Sequence, residues 1–366
     1  MHRKGEDDPP PQDGAANEAF FVLVPSISSK PSTGFSVGVS GNVAFYSGDP
    51  ETTHISSVVG GAKGTQLGQL LTGVRLNVFT EDDRWFVQSD NRFSATSQET
   101  YGLGPSTTTS DQENWKYDYV RLYETAYKQV GKQLFVGGGF GVSRYSSIRP
   151  GSSANDEAAY VDYTTSHGFP LDHQTSGGTT LGVFYDSRTN AINSQSGWLA
   201  SVTLRTYFDG FLGGDSTWQE LYTDVRTYRK LTTDGRRRLA FWVWSDMVLG
   251  GVAPYFDLPE TGGDSSGRSA RGYAQGRFRG EKLVYGEVEY RDTLTRNGLV
   301  GFVAFLNTTT LSNSETGDRL FQGWAPGAGF GFRFLLNKRS RTNLCTDWGW
   351  GKDGSHGFYL SVQEAF

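Results

Sequence analysis

The chain alternates between apolar and polar positions in short segments, a period of two that indicates β-strands with two different faces. Near residue 200, for example, Trp198, Ala200 and Val202 alternate with Ser201 and Thr203. Clusters of Gly, Ser, Asp, Asn and Thr separate these segments, and no stretch after residue 18 follows the 3.6-residue period of a helix. The pattern therefore predicts an all-β protein.

Counting the alternating segments predicts sixteen strands, and an even number is typical of a transmembrane antiparallel β-barrel. The first segment contains Pro25, which suits only an edge or seam strand because proline has no N–H to donate. The predicted segments are 19–28, 34–46, 54–63, 69–79, 84–94, 115–130, 133–146, 178–187, 197–208, 216–231, 237–250, 281–294, 298–311, 326–336, 341–351 and 356–366.

The two faces of the segments favour a membrane barrel over a soluble β-sandwich, which also alternates. In residues 115–128 the odd positions include Trp115, Tyr117 and Tyr119, and the even ones include Lys116 and Asp118. We assign the aromatic face to lipid and interfacial girdles, and the charged face to a wet lumen, because it is too charged for a sandwich core.

The last segment ends the chain on an aromatic residue. Phe358, Leu360, Val362 and Phe366 share one face by parity, and Glu364 is the discordant member of that face. A final strand that ends in Phe resembles the signal by which outer-membrane barrels are handed to their assembly machinery. We therefore predict that these four side chains form a C-terminal barrel signal.

Composition and charge narrow the class further. The 366 residues are 36% hydrophobic and 14% aromatic, with no apolar run near the roughly 18 residues that a membrane-spanning helix needs. A net charge of -5 argues against nucleic acid as a partner, since phosphate binding requires a basic surface. The one cysteine, Cys345, shares the parity of Asn343 and Asp347, so we expect it to face the lumen.

Residues 1–18 differ from the rest of the chain. They are charged and proline-rich, with no apolar core of a secretory signal, so we expect a disordered leader followed by a barrel over residues 19–366. An exported protein needs such a signal. We therefore suppose that the numbering starts after a removed signal, or that the first residues are foreign to the protein.

About thirty residues, from Ala253 to Gly280, separate two strands and are too patterned for disorder. Their Ala270, Arg271, Gly272 and Tyr273 resemble the V-R-G-F/Y motif of the BamA/TamA superfamily, also called the bacterial surface antigen family. Segments in the same order resemble its barrel over about 340 residues; they are 24–38, 185–190, 197–198, 286–291, 327–334, 346–354 and 357–366. In that family the motif loop folds back into the lumen.

The resemblance implies partners for the motif. A guanidinium inside a barrel requires acceptors, and a carboxylate fits its planar fork best. Glu287 and Glu289 lie on the wet face by parity, and the resemblance places Glu289 opposite Arg271. We predict an Arg271–Glu289 contact within about 4 Å. Asn307 stands where the family carries a second acid, so this lock departs from the family pattern.

Catalytic and metal-binding interpretations find little support. Residues 263–267 match G-x-S-x-G, but no strand precedes them and no helix follows, as a nucleophile elbow requires. His167 and His173 lack the spacing of a metal site. We expect no enzyme, no catalytic residue, no metal and no cofactor.

These observations predict a protein of the cell outer membrane that contacts membrane lipids and assists insertion or translocation of protein or lipid. Superfamily members carry periplasmic receptor domains or a patatin-like lipase, for which this sequence has no room. The alternatives are a passive pore or structural barrel, and the barrel subunit of a larger complex. In that complex a separate periplasmic or outer-membrane protein, or further copies of this chain, are the expected partners.

Overall fold

The computed structural model describes residues 19–49, 51–151, 158–190, 193–337 and 341–366. The leader expected over residues 1–18 lies outside this part of the chain. The described residues form a closed barrel in which every strand is antiparallel to its neighbours, and β1 meets β16 at the seam. The predicted all-β class and the count of sixteen strands are confirmed.

The strands account for most of the chain, and one α-helix, α1 (Ala159–Ser166), lies between the seventh and the eighth. They are β1 (Phe20–Lys30), β2 (Gly34–Phe45), β3 (Ser56–Thr65), β4 (Leu70–Phe79), β5 (Trp85–Thr100), β6 (Glu113–Gly131), β7 (Leu134–Pro150), β8 (His173–Asp186), β9 (Gly197–Tyr207), β10 (Trp218–Lys230), β11 (Arg237–Gly251), β12 (Lys282–Thr293), β13 (Val300–Ser312), β14 (Ala325–Asn337), β15 (Thr342–Gly351) and β16 (His356–Val362). Among the described residues, no helix is long and apolar enough to cross a membrane.

We call the end where β1 begins and β16 ends the near end, and the opposite end the far end. The two longest connections, 151–172 and 252–281, both leave from the far end. The second of these, which we call the lumen loop, turns into the barrel. The outer wall is apolar, with exposed side chains such as Leu181 and Leu306, whereas the inner wall carries most of the buried charge. This arrangement is typical of a barrel surrounded by lipid.

The orientation of β6 is the reverse of the one predicted. Its aromatic face points inward: Trp115 and Tyr117 are buried, and the Tyr117 ring lies 5.0 Å from Phe256 of the lumen loop. Glu124 therefore points outward, where it accepts a hydrogen bond from Ser89 Oγ at 2.7 Å. The prediction failed because the lumen here is filled by protein, so aromatic side chains pack inside it.

Strand ends also differ from the prediction, by up to six residues. β5 continues to Thr100, six residues further, and β8 begins at His173, five residues earlier. The β5 extension precedes the far-end connection 101–112 and the β8 extension follows the far-end connection 151–172, and polar sequence hides the continued pairing in both. β16 ends at Val362 rather than at Phe366, because Gln363 takes a left-handed backbone conformation with φ 74°.

Buried clusters fill the barrel, and two of them include residues of the lumen loop. At the far end, α1 and the start of the lumen loop pack rings together, and Tyr160 lies 5.0 Å from Phe256. The second cluster combines Trp242, Tyr285 and the chain's last residue, Phe366. Aromatic side chains bury roughly 150–250 Å² each, so these clusters supply much of the apolar burial in the interior.

Candidate functional site: the lumen loop and its arginine lock

The lumen loop crosses the interior from one wall to the other. On one side, Arg75 of β4 and Arg92 of β5 donate to the backbone oxygen of Ser265, at 2.5 Å and 2.7 Å. On the other side, Arg268 donates to the backbone oxygen of Val362 at 3.0 Å. A segment that contacts β4, β5 and β16 at once can only lie inside the barrel.

Arg271 lies in a pocket of carboxylates. Its Nη2 is 2.5 Å from Glu289 and also contacts Glu287, and its Nη1 is 2.7 Å from Asp347. The side chains of Arg271, Glu287 and Glu289 are at most 3% exposed, so this is a fully buried ion cluster. The contact between Arg271 and Glu289 that strand parity and the family resemblance together predicted is therefore present. The guanidinium also lies 3.7 Å from the ring of Phe305.

The cluster extends toward the near end through two more arginines. Arg333 contacts Asp347 at 2.6 Å and Glu364 at 2.7 Å, and Arg291 contacts Glu289 at 2.5 Å. Three arginines (271, 291 and 333) thus meet four carboxylates (287, 289, 347 and 364). Removing one partner from such a buried network is costly, because it leaves an uncompensated charge in the interior.

Gly272 allows the loop backbone to press against β15. Its φ of 115° is strained for any other residue, and an added Cβ would lie 2.8 Å from the backbone of Trp350. The Gly272 N–H donates to the Tyr359 hydroxyl at 2.8 Å. The glycine of the motif is therefore required by close approach as well as by backbone conformation.

Tyr273 completes the motif by fixing the loop to the far ends of two strands. Its hydroxyl donates to the backbone oxygen of Pro326 at 2.5 Å and accepts from the N–H of Lys352 at 2.8 Å. Ala270 is buried with φ 57°. All four motif residues thus contribute to holding the loop.

Asn307 holds the loop without any charge. Its Nδ2 donates to the backbone oxygen of Arg271 at 3.0 Å, and its Oδ1 has no hydrogen-bond partner in the described part of the chain. The acidic contact that Arg271 makes outside β12 comes from Asp347 on β15 instead. The sequence indicated only that Asp347 faces the lumen, because it shares the parity of Cys345, which is buried. That parity was the one signal in the sequence that could have suggested Asp347 as a partner of Arg271.

The predicted C-terminal signal divides into two parts. Phe358 lies on the outer wall, 39% exposed, and Leu360 and Val362 share its parity on β16. Phe366 does not share that face: it turns inward, is 5% exposed and lies 5.1 Å from the ring of Trp242. The turn after Val362 also explains the discordant parity of Glu364, which pairs with Arg333 in the lumen.

The other candidate motifs have structural roles in the loops. Asp264, inside the G-x-S-x-G match, accepts hydrogen bonds from the N–H groups of Ser266, Arg268 and Ser269 at 2.8–2.9 Å. A carboxylate that binds three backbone N–H groups fixes a turn. No group of three metal-ligating side chains occurs in the described residues.

Solved structures with the same architecture include two outer-membrane protein types. BamA from Haemophilus ducreyi, solved without its POTRA domains 1–3, is 13% identical with a TM-score of 0.60, over 93% of this chain and 70% of its own. CdiB from Acinetobacter baumannii is 12% identical with a TM-score of 0.60, over 94% of this chain and 59% of its own. CdiB from Escherichia coli is 12% identical with a TM-score of 0.56, over 93% and 63%.

At such low identities this likeness shows the fold, a closed sixteen-strand barrel of the BamA and CdiB type. The chain spans less than two thirds of either CdiB chain. No family model and no curated protein sequence matches this chain.

Proposed function

We propose that this chain is an outer-membrane barrel of the BamA/TamA superfamily that assists insertion or translocation of protein or lipid by opening at its seam. One observation carries the proposal. Within the described strands, β1 pairs with β16 only at Ser29 and Leu360, whereas β1 pairs with β2 along its whole length, Phe20–Lys30. The seam is the weakest line in the wall.

The physical consequence is an edge on each side of the seam. A net backbone hydrogen bond contributes on the order of 1 kcal/mol, so a seam with a single paired position opens more easily than any other strand pair. Exposed backbone N–H and C=O groups accept an added strand, and the cost of leaving them unpaired in lipid favours that addition. Pro25 lies in the part of β1 that has no ladder to β16.

The lumen loop is connected to the same seam. Arg268 donates to the backbone oxygens of Val362, at 3.0 Å, and Gln363, at 3.3 Å, and it also contacts that of Glu364. The end of the seam strand is thus tied to the loop that Arg271 locks in place. This connection supports a gate in which the loop holds β16 while β1 moves away.

The passive pore receives less support, since the lumen loop spans the interior between opposite walls: Asp257 accepts from Ser176 of β8, and Gly272 donates to Tyr359 of β16, eight strands away. A separate protein that supplies receptor domains remains compatible with the proposal. A stoichiometric partner would be found by native purification from the source membrane.

The test is a disulfide across the seam, Ser29→Cys with Leu360→Cys, at directly opposed positions. The matched control, Ile27→Cys with Val37→Cys, links β1 to β2 at an equally opposed pair. Each protein is reconstituted into liposomes, oxidised or reduced, and the folding rate of an unrelated small barrel is measured.

We expect the unmodified protein to accelerate folding, the oxidised seam pair to remove the acceleration, and reduction to restore it. The oxidised control pair should remain active. Equal activity of the oxidised and reduced seam pair would exclude seam opening. An unmodified protein that gives no acceleration would remove the insertase proposal and leave the pore and the complex subunit.

A further inference from the structure

A polar cavity of about 170 Å³ lies at the near end of the barrel, beside the arginine lock. It is bounded by β11, β12, β13, β14 and β15 and by the turned end of the chain. Its lining includes Asn193, Arg238, Arg291, Asn343 and Glu364. A cavity needs roughly 15 Å³ to hold one water molecule, so this cavity has room for a group of several non-hydrogen atoms.

Two arginines face each other across neighbouring strands in the wall of this cavity. Arg238 of β11 and Arg291 of β12 are directly opposed in the strand register. Like charges directly opposite one another destabilise a sheet unless an anion lies between or beside them. Such a pair in a closed wall therefore requires compensation.

The compensation within the described chain is incomplete. Arg291 pairs with Glu289, whose oxygen lies 2.5 Å from its Nε, and it shares this carboxylate with Arg271. Arg238 forms no ion pair with a described residue, and its Nη2 donates instead to the neutral Asn193 at 2.7 Å. Among the described residues, Arg238 therefore has no carboxylate within ion-pair distance.

Unused donors point to the same conclusion. Arg238 Nε and Arg291 Nη1 are buried atoms with no hydrogen-bond partner among the described residues. Arg291 is 2% exposed as a whole residue, so solvent hydrates it poorly. Buried N–H donors are nearly always satisfied by a hydrogen-bond partner. Here two unsatisfied donors belong to guanidinium groups in the wall of one cavity.

We propose that this cavity binds a phosphate group. Guanidinium forks suit oxyanions, and a phosphate presents oxygens in several directions, so donors from two strands can reach it together. A planar carboxylate matches one fork. The phosphate comes either from free inorganic phosphate or from a phospholipid headgroup entering at the near end, and both sources share this chemistry.

The test compares binding by the purified barrel in a phosphate-free neutral detergent, using isothermal titration with inorganic phosphate. Arg238→Gln removes the uncompensated charge at nearly constant size, and we expect it to weaken binding at least tenfold. Arg84→Gln, in an exposed near-end turn, removes one positive charge outside the cavity and should leave affinity within twofold.

A second variant protects the test against misfolding. Arg238→Lys keeps the charge but loses the fork, and we expect intermediate affinity. Each variant is first checked for the heat-dependent gel mobility of a folded barrel. Equal affinity of the unmodified protein and both Arg238 variants would overturn the proposal.

The source is identified with a second probe, a short-chain phosphatidic acid kept below its micelle concentration. Tighter binding of this lipid than of inorganic phosphate, lost in Arg238→Gln, assigns a headgroup site. Binding of inorganic phosphate alone, with the same loss, assigns a free-anion site. Binding of neither probe to the unmodified protein would reject a phosphate site.

Discussion

The wall formed by β12–β15 and the seam between β1 and β16 differ in how far their strands are paired. The wall is paired along its strands and receives the buried guanidinium of Arg271 on three carboxylates. The seam has one paired position, Ser29 with Leu360. The difference teaches that pairing in this barrel is weakest at the seam. In the proposed gate, the seam opens while the rest stays folded.

The largest effect is expected from Arg271→Ala, which leaves the carboxylates of Glu287, Glu289 and Asp347 buried without their shared cation. We expect a loss of about 3–5 kcal/mol in unfolding free energy, measured by urea titration in detergent. The matched variant Arg277→Ala lies on the same loop, and its one ionic partner, Asp353, is 3.8 Å away and 55% exposed. It should cost clearly less; an equal loss would show that the cluster does not anchor the loop.

The next largest effect on stability is expected at the inward-turned end of the chain, compared with the outward face of β16. Phe366→Ala removes a ring buried against Trp242, Tyr228 and Arg291, and we expect it to cost about 3 kcal/mol. Phe358→Ala, on the partly exposed outer face, should cost less than half of that. Thermal unfolding of both variants measures the difference. The reverse order would restore the prediction that Phe366 lies on the lipid face.

Asn307 provides a smaller test of how the loop is locked. Asn307→Asp restores the acid that the resemblance implies, but an ionised carboxylate cannot donate to the Arg271 backbone oxygen. We therefore expect a destabilisation of about 1–3 kcal/mol in the same urea titration. Asn307→Ala loses the donor without adding charge and serves as the control. A stabilised Asn307→Asp would mean that the family arrangement applies here.

The smallest effect concerns the near-end turns beside β3 and β5. Asp83 accepts from the backbone N–H of His54 at 2.7 Å. Its carboxylate also hydrogen-bonds the His54 ring, and this side-chain contact raises the pKa of His54 above its ordinary 6.5. The folded state thus favours protonated His54. The contribution, below about 1 kcal/mol for a partly exposed pair, is fully present below pH 6.5.

This contribution is lost as the pH rises through the raised pKa of the folded state. Melting temperatures from pH 5 to 9 should therefore fall more in the unmodified protein than in His54→Gln. The ring protons of His54, followed by NMR, give the pKa directly. Parallel pH profiles of the two proteins would contradict the prediction.

The alternation of apolar and polar residues along the chain was sufficient to predict the fold and part of the site. It predicts sixteen strands because period-two patterning is set by each strand's own two faces. It also predicts Glu287 and Glu289 on the inner face, where the structure places them beside Arg271. The partner Asp347 was missed, since the loop and β15 are 76 residues apart in the chain and no local pattern relates them.

The same reasoning failed where an aromatic face was taken to mean lipid. Rings such as Tyr117 suit a lipid interface and a filled lumen equally well, and only the presence of Phe256 inside the barrel distinguishes them. Phe366 shows the same limit, because parity along β16 assumes that the strand continues, and the turn at Gln363 ends it.

The sequence by itself determined the all-β architecture, the number of strands and the inner position of Glu287 and Glu289, since these follow from local periodicity. The motif loop was indicated by the resemblance of residues 270–273 to a known family. The tertiary structure decided which wall is weak, which carboxylates share Arg271, and which aromatic faces point inward. These features depend on contacts between distant segments, and the space inside a closed barrel is set by the whole chain at once.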